Sequence, residues 1–233
     1  MTCGKKLPAN QINGKVFIFS SCCTFMPNEW EEQEFKDLLE KYTAVTIPVK
    51  VSIEAQQHVL DMGSVKKILQ GSELISLEEC YCRKNLGNCD KPLEVCLSLN
   101  KSAAHAIEER GARKISLKEA LNVLEESHRA GLVHLAYHQK GEKTEVICSC
   151  CSCCCHHVIA LRQFGYHETL MKSQVVANFE ESLCVDCGLC VERCQFGAWS
   201  RDNGGVKLDS ENCFGCGLCV SSCSAGAISL VER

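Results

Sequence analysis

Cysteine dominates the chemistry available to this chain: 21 of its 233 residues are cysteine, and most fall in runs of fixed spacing. In the C-terminal quarter Cys184, Cys187, Cys190 and Cys194 form a C-x2-C-x2-C-x3-C run, which recurs 29 residues later as Cys213, Cys216, Cys219 and Cys223. The copies also share Gly188-Leu189 with Gly217-Leu218, and Gly197-Ala198 with Gly226-Ala227. Two residues between ligands let a tight loop place three thiolates on three irons of one cube, while the fourth cysteine sits on a turn that leads away to the other cube. That logic assigns Cys184, Cys187, Cys190 and Cys223 to one [4Fe–4S] cluster, and Cys213, Cys216, Cys219 and Cys194 to a second. Gly188, Gly215 and Gly217 allow the backbone to approach closely. Zinc takes four ligands, and an interleaved eight-cysteine pattern is not its usual form.

Thirteen cysteines lie outside the repeat, and ten of them form two knots. The first is Cys80, Cys82, Cys89 and Cys96, spaced C-x-C-x6-C-x6-C; the second is Cys148, Cys150, Cys151, Cys153, Cys154 and Cys155, six cysteines in eight residues. Four thiolates of the first knot suffice for a cubane. In the second, Cys148, Cys151 and Cys154 reproduce C-x2-C-x2-C spacing, and Cys150 with Cys153 reproduces C-x2-C. Six adjacent thiolates cannot all reach one cubane, which has only four irons. Three arrangements follow: the knots share ligands between two clusters, they hold one larger or unusual cluster, or they hold a single cluster with spare thiols. Zinc is the competing reading, because C-x-C and C-x2-C also suit it. Arg83 beside Cys82 is placed to donate to a cluster sulfide or a thiolate, or else is a surface arginine. His134, His156 and His157 are candidate nitrogen ligands, His156 the best placed because it follows Cys155. Cys22 and Cys23 read as small buried hydrophobes, and Cys3 as exposed.

The C-terminal repeat closely resembles the bacterial two-cluster [4Fe–4S] ferredoxin family over about residues 178–233. That family usually carries proline after the fourth cysteine; here the positions hold Gln195 and Ser224. The middle of the chain resembles a largely uncharacterised family of iron–sulfur proteins from anaerobic bacteria, over roughly residues 30–233. The matching features are Cys80-x-Cys82-Arg83, Cys89-Asp-Lys-Pro-Leu-Glu-Val-Cys96-Leu, Gly131-Leu-Val-His134 and the Cys148–Cys155 run. This resemblance implies an architecture, an additional iron–sulfur site ahead of a ferredoxin tail, more than an activity.

Composition removes several alternatives. A disulfide framework suits a short secreted chain; this chain is long, its cysteine count is odd, and its first residues show no apolar signal core. The expected location is the cytoplasm. No apolar run is long enough to span a bilayer. A net charge of −4 offers no basic field for nucleic acid. Residues 178–233 carry eight acids against four bases, and the remainder balances, so an acidic tail module would steer toward a basic patch on a redox partner protein. Oligomeric state is not encoded in any of these features. No G-x-G-x-x-G or His-Glu-x-x-His motif occurs.

The elements that must position these residues read as α+β: a cysteine-rich α+β domain over residues 1–177, followed by a two-cluster ferredoxin-like domain over 178–233. Helices are predicted at Trp30–Tyr42, Ser64–Gln70, closed by Gly71, and Ser102–Arg110, stopped by Gly111. Another starts at Ser116, where Glu119 completes a capping box, and runs to Arg129. Strands are predicted at Val16–Phe19, Val45–Ile53, Leu132–His138 and Glu145–Cys148, the last two joined around Gly141. Helix plus hairpin resembles half of a winged helix, but the helix carries Glu119, Glu125 and Glu126, the wrong charge for a phosphate backbone. The preferred function is an electron carrier with two ferredoxin-type clusters and one or two more upstream, with substrate reduction at an upstream cluster as the alternative, and a redox sensor or cluster scaffold as the third reading.

Overall fold

The computed structural model describes residues 11–12, 15–16, 43–47, 62–138, 144–167 and 170–233. Two residues each of β1 (Gln11–Ile12) and β2 (Lys15–Val16) form a short antiparallel ladder. The predicted Trp30–Tyr42 helix, Cys3, Cys22 and Cys23 lie outside the described residues.

The upstream unit is built on β3 (Thr43–Ile47), α1 (Met62–Gln70), β4 (Ile75–Glu79), α2 (Tyr81–Leu86), β5 (Glu94–Leu99), α3 (Asn100–Arg110), β6 (Arg113–Lys114), α4 (Leu117–Arg129), β7 (Val133–His138), β8 (Val146–Cys150), α5 (His156–Phe164) and β9 (Leu170–Met171). Seven of its strands form one sheet in the order β6-β4-β5-β8-β7-β3-β9. Every pairing is antiparallel except β3 with β9.

Local signals set the helix ends. The Ser116 side chain accepts from the Glu119 N–H at 3.2 Å, which starts α4. Glu119 does not complete the reciprocal bond of a capping box; its carboxylate pairs with Arg113 instead. Gly111 closes α3 in the left-handed region at φ 73°, where a Cβ is strained.

Strand parity sorts the two faces of the sheet. Leu77, Leu97, Leu99, Ile147 and Ala136 pack in one core with Val65 and Leu69 of α1, and Ala120 and Leu124 of α4. Successive residues point to opposite faces, so Cys96, Cys148 and Cys150 share the other face. The β7–β8 hairpin is therefore not a wing: β3 covers β7 and β5 covers β8, placing the hairpin inside a seven-stranded sheet.

The C-terminal unit comprises β10 (Val175–Phe179), α6 (Leu189–Arg193), β11 (Trp199–Asp202), β12 (Gly205–Leu208), α7 (Leu218–Ser222) and β13 (Ile228–Glu232). β10 pairs with β13, and β11 with β12; β10 crosses the 177/178 boundary expected from sequence. Val175, Ala177, Ala198, Trp199, Val206, Ile228 and Leu230 pack between them. A second apolar cluster joins the units: Phe196, Phe214 and Leu218 pack with Val133, Leu135, Val158, Leu161 and Leu170. The fold is α+β.

Candidate metal centres

The two halves of the C-terminal repeat place their cysteines differently. Cys184, Cys187, Cys190 and Cys223 line one cavity, closed by Phe179, Leu189, Val206 and Ile228. Of its lining, Cys187, Val185 and Leu189 are exposed. The other set is internal. Cys213 and Cys219 are buried, and Cys194 and Cys216 pack against the apolar cluster shared with the upstream unit. Cys194 lies close enough to Cys216 and Cys219 for its charge to act on both.

The donor set suits thiolate–iron chemistry. Backbone N–H groups donate to sulfur from Asp186 to Cys184 at 3.4 Å, Ala177 and Gly215 to Cys213 at 3.4 Å each, and Ala198 to Cys194 at 3.3 Å. Such donors stabilise thiolate and offset cluster charge. Burial, aided by the charges of neighbouring thiols, pushes the Cys190 thiol up to about 11 and Cys219 up to about 12. The protein therefore does not hold these groups ionised by itself; bound iron would supply the positive charge. Gly215 is the tightest point, since a Cβ there would sit 2.1 Å from both Ser173 Oγ and the Val175 carbonyl oxygen.

Residues 183–228 match the 4Fe-4S dicluster domain family. No curated protein matches the chain. The C-terminal part is thus a ferredoxin-type iron–sulfur domain.

Upstream, the fold regroups the two sequence knots. Cys89 leaves its own knot and joins Cys151, Cys153 and Cys154, their four sulfurs all within 4.8 Å of one another. The helical turn α2, ended by Gly87 at φ 62°, reverses the chain between Cys82 and Cys89 and makes this exchange possible. The other six form a ring. The Cys80 thiol lies close enough to Cys82 and Cys96 for each to affect its ionisation, and the same holds in turn for Cys96 and Cys148, Cys148 and Cys150, and Cys150 and Cys155. Cys155 and Cys82 interact across the remaining gap. Each of the two groups thus mixes cysteines of both sequence knots.

Within the ring, the neighbouring Cys82 and Cys96 thiols hold the Cys80 thiol well below its usual range, and Cys82 is raised by its neighbour Cys80 and by burial. Cys155 is raised by its Cys150 contact and by burial. The Tyr137 hydroxyl lies 4.0 Å from both Cys150 and Cys155 sulfurs, and His156 Nδ1 lies 3.1 Å from Cys82 Sγ. Burial pushes His156 down to about 3, so its ring is neutral at physiological pH. His157 packs against Tyr137 with the rings tilted and their centroids 5.0 Å apart. His134 is on the opposite face of β7, bonded to Ser149 Oγ at 3.1 Å and stacked on His128; it is not a ligand candidate.

Arg83 separates the two groups and is only 1% exposed, so the surface-arginine reading is wrong. Its Nη1 donates to the Pro92 carbonyl at 2.5 Å, and its Nη2 to the Ser149 carbonyl at 3.0 Å and Cys151 Sγ at 3.6 Å. Its Nε is buried with no hydrogen-bond partner among the described residues. Cys80 of the ring, and Cys151 and Cys89 of the quartet, all act on its charge. A buried cation with an unused donor between two thiol groups fits a site made for anionic metal–sulfur centres.

A residue that spacing did not single out as functional is Gln195. It is buried, its Oε1 accepts from the Ser152 N–H at 2.8 Å, and its Nε2 donates to the Gly131 carbonyl at 3.0 Å. The signal in the sequence is its departure from the proline usual at that place.

Proposed function

We propose that the chain is an iron–sulfur electron-transfer protein that carries two ferredoxin-type [4Fe–4S] clusters and at least one further cluster upstream. One observation carries the reading: Cys194 and Cys216 of the inner ferredoxin set pack in the same apolar cluster as Cys150 and Cys155 of the ring. Between them Phe196 and Phe214 stack with ring centroids 4.5 Å apart. The donor sets therefore stand in series, from the exposed Cys187 inward. Bound clusters would supply one-electron chemistry; the residues fix their order, exclude water and set the local charge.

The outer cavity supports docking to a redox partner. Val185 and Leu189 give it an exposed apolar lining, and the chain on either side of these motif residues carries exposed acid at Glu180, Glu181 and Glu192. A partner with a basic patch and an apolar centre complements that surface.

The test is anaerobic counting of iron and sulfide on reconstituted protein, with EPR during reductive titration. The reading expects more than the eight irons of a two-cluster ferredoxin, all reducible, and electron delivery to an external acceptor. Eight irons with ten free upstream thiols would refute the upstream cluster.

The Tyr137 hydroxyl and the His156 ring favour a second reading, a redox enzyme, because they put proton-bearing groups beside the ring sulfurs. Cyanide and carbon monoxide separate the two. An electron carrier with fully ligated irons leaves its reduced EPR spectrum unchanged; a shift lost on substitution of Cys82 establishes an open iron.

A further inference from the structure

We propose that Cys89, Cys151, Cys153 and Cys154 bind a single soft divalent ion in a closed tetrahedral tetrathiolate site, separate from the iron–sulfur clusters. The sulfur separations are 3.9 Å for Cys89–Cys151, 4.0 Å for Cys89–Cys154 and 3.8 Å for Cys153–Cys154. A tetrahedron of sulfurs with metal–sulfur bonds of about 2.3 Å has an edge of about 3.8 Å. Three of the six edges are at that size, and all six are within 4.8 Å.

A cubane requires more room. Each of its thiolates binds a different iron, so two thiolate sulfurs are separated by an iron–iron edge and two outward bonds. The ferredoxin-type domain supplies the internal comparison. Among the described residues, no three of its cysteines come as close together as those of the quartet. The ring does not either. The fold thus spaces its other cysteines for larger centres and the quartet for one ion.

The surroundings agree. Cys151 is 1% and Cys154 0% exposed, so the protein shields the site from one side. Asn88 Nδ2 holds the Cys153 carbonyl at 2.9 Å, and Arg83 donates to Cys151 sulfur. Four thiolates on a divalent ion carry two net negative charges, and Arg83 offsets one of them. With all four positions taken by protein sulfur the ion has no place for substrate. Its work is to tie the α2–β5 loop, through Cys89, to the β8–α5 loop that Gln195 also grips. Zn2+ and Fe2+ share this chemistry.

The inference deepens the upstream-metal reading of the previous section, and two variants keep the two claims apart. Zinc, iron and acid-labile sulfide are counted per chain in the holo-protein and in the Cys153→Ser and Cys150→Ser variants. Cys153→Ser should lose about one metal ion and no sulfide, with zinc or iron named by the count. Loss of several irons together with sulfide, or no loss at all, overturns the single-ion site. Cys150→Ser should lose several irons with sulfide; if it loses none, the ring cluster fails while the quartet stands. Should Cys153→Ser not fold, wild-type protein labelled with 57Fe decides by Mössbauer spectroscopy combined with zinc counting. About one high-spin tetrathiolate iron or about one zinc per chain supports the site, and the absence of both overturns it.

Discussion

Gln195 Oε1 accepts a hydrogen bond from the backbone N–H of Ser152 at 2.8 Å, which ties the residue after a ferredoxin ligand to the middle of the upstream cysteine run. The same side chain reaches the Gly131 carbonyl at 3.0 Å. Proline can do neither. Replacing Gln195 with Ala removes two bonds at a buried junction and leaves the Ser152 N–H in need of a partner. The expected cost is about 1–3 kcal/mol. Anaerobic denaturant unfolding should show a lower midpoint, with ferredoxin iron content unchanged. An unaltered midpoint would mean that Phe196 and Phe214 hold the junction alone.

Cys194 belongs by sequence to the first motif and by position to the second donor set, beside Cys216 and Cys219. Changing Cys194 to Ala should therefore damage the cluster of Cys213, Cys216 and Cys219 and spare that of Cys184, Cys187 and Cys190. About four irons should be lost. Selective loss of the signal from the outer cluster, the one beside Cys187, would reverse the assignment.

What could be read in the chain beforehand was local. Ser116 caps α4 and Gly111 closes α3 because each signal acts within one turn. The C-terminal motifs were legible for the same reason: three ligands of each cluster lie within seven residues. The upstream regrouping was not legible, since it depends on long-range register. Leu97 pairs with Ile147, which sets Cys96 beside Cys148 across two strands. Parity also decides His134: it faces Ser149 and not Cys148, one residue away. Residue type made Arg83 a candidate donor, but only the loop that wraps Pro92 over it explains its burial.

His134 predicts a pH effect on stability. Burial holds its imidazole at about 3, against 6.5 when free, with the charge of His128 adding to the same direction. The unfolded chain therefore binds a proton that the folded chain refuses. Stability is intact above pH 6.5 and is lost as pH falls below it, by about 1.4 kcal/mol for one unit. Unfolding free energies from anaerobic urea titrations should fall between pH 7.5 and 5.5 by about this amount more in wild type than in His134→Gln, which has no charge to gain. Parallel pH profiles for the two proteins would show that His134 is protonated in the fold.

Arg83 serves two roles that substitution can divide. Its fork links the Pro92 and Ser149 carbonyls, and so binds the α2–β5 loop to the end of β8. Its charge faces both the quartet and Cys80 of the ring. Lysine keeps the charge and loses the planar fork; methionine keeps much of the packing and loses the charge. Removing a cation roughly 5 Å from a redox centre, at an effective dielectric of about 20–30, costs the reduced state on the order of 2–3 kcal/mol, or roughly 100 mV. Arg83→Met should thus lower the potential of the upstream cluster by roughly 100 mV and leave the two ferredoxin-type potentials in place. Arg83→Lys should keep the upstream potential close to wild type while lowering the denaturation midpoint. EPR-monitored redox titration reads all the potentials in one experiment. Equal upstream potentials in Arg83→Met and wild type would leave the arginine a purely structural clamp, and a uniform shift at every cluster would show that the variant had disturbed the whole fold.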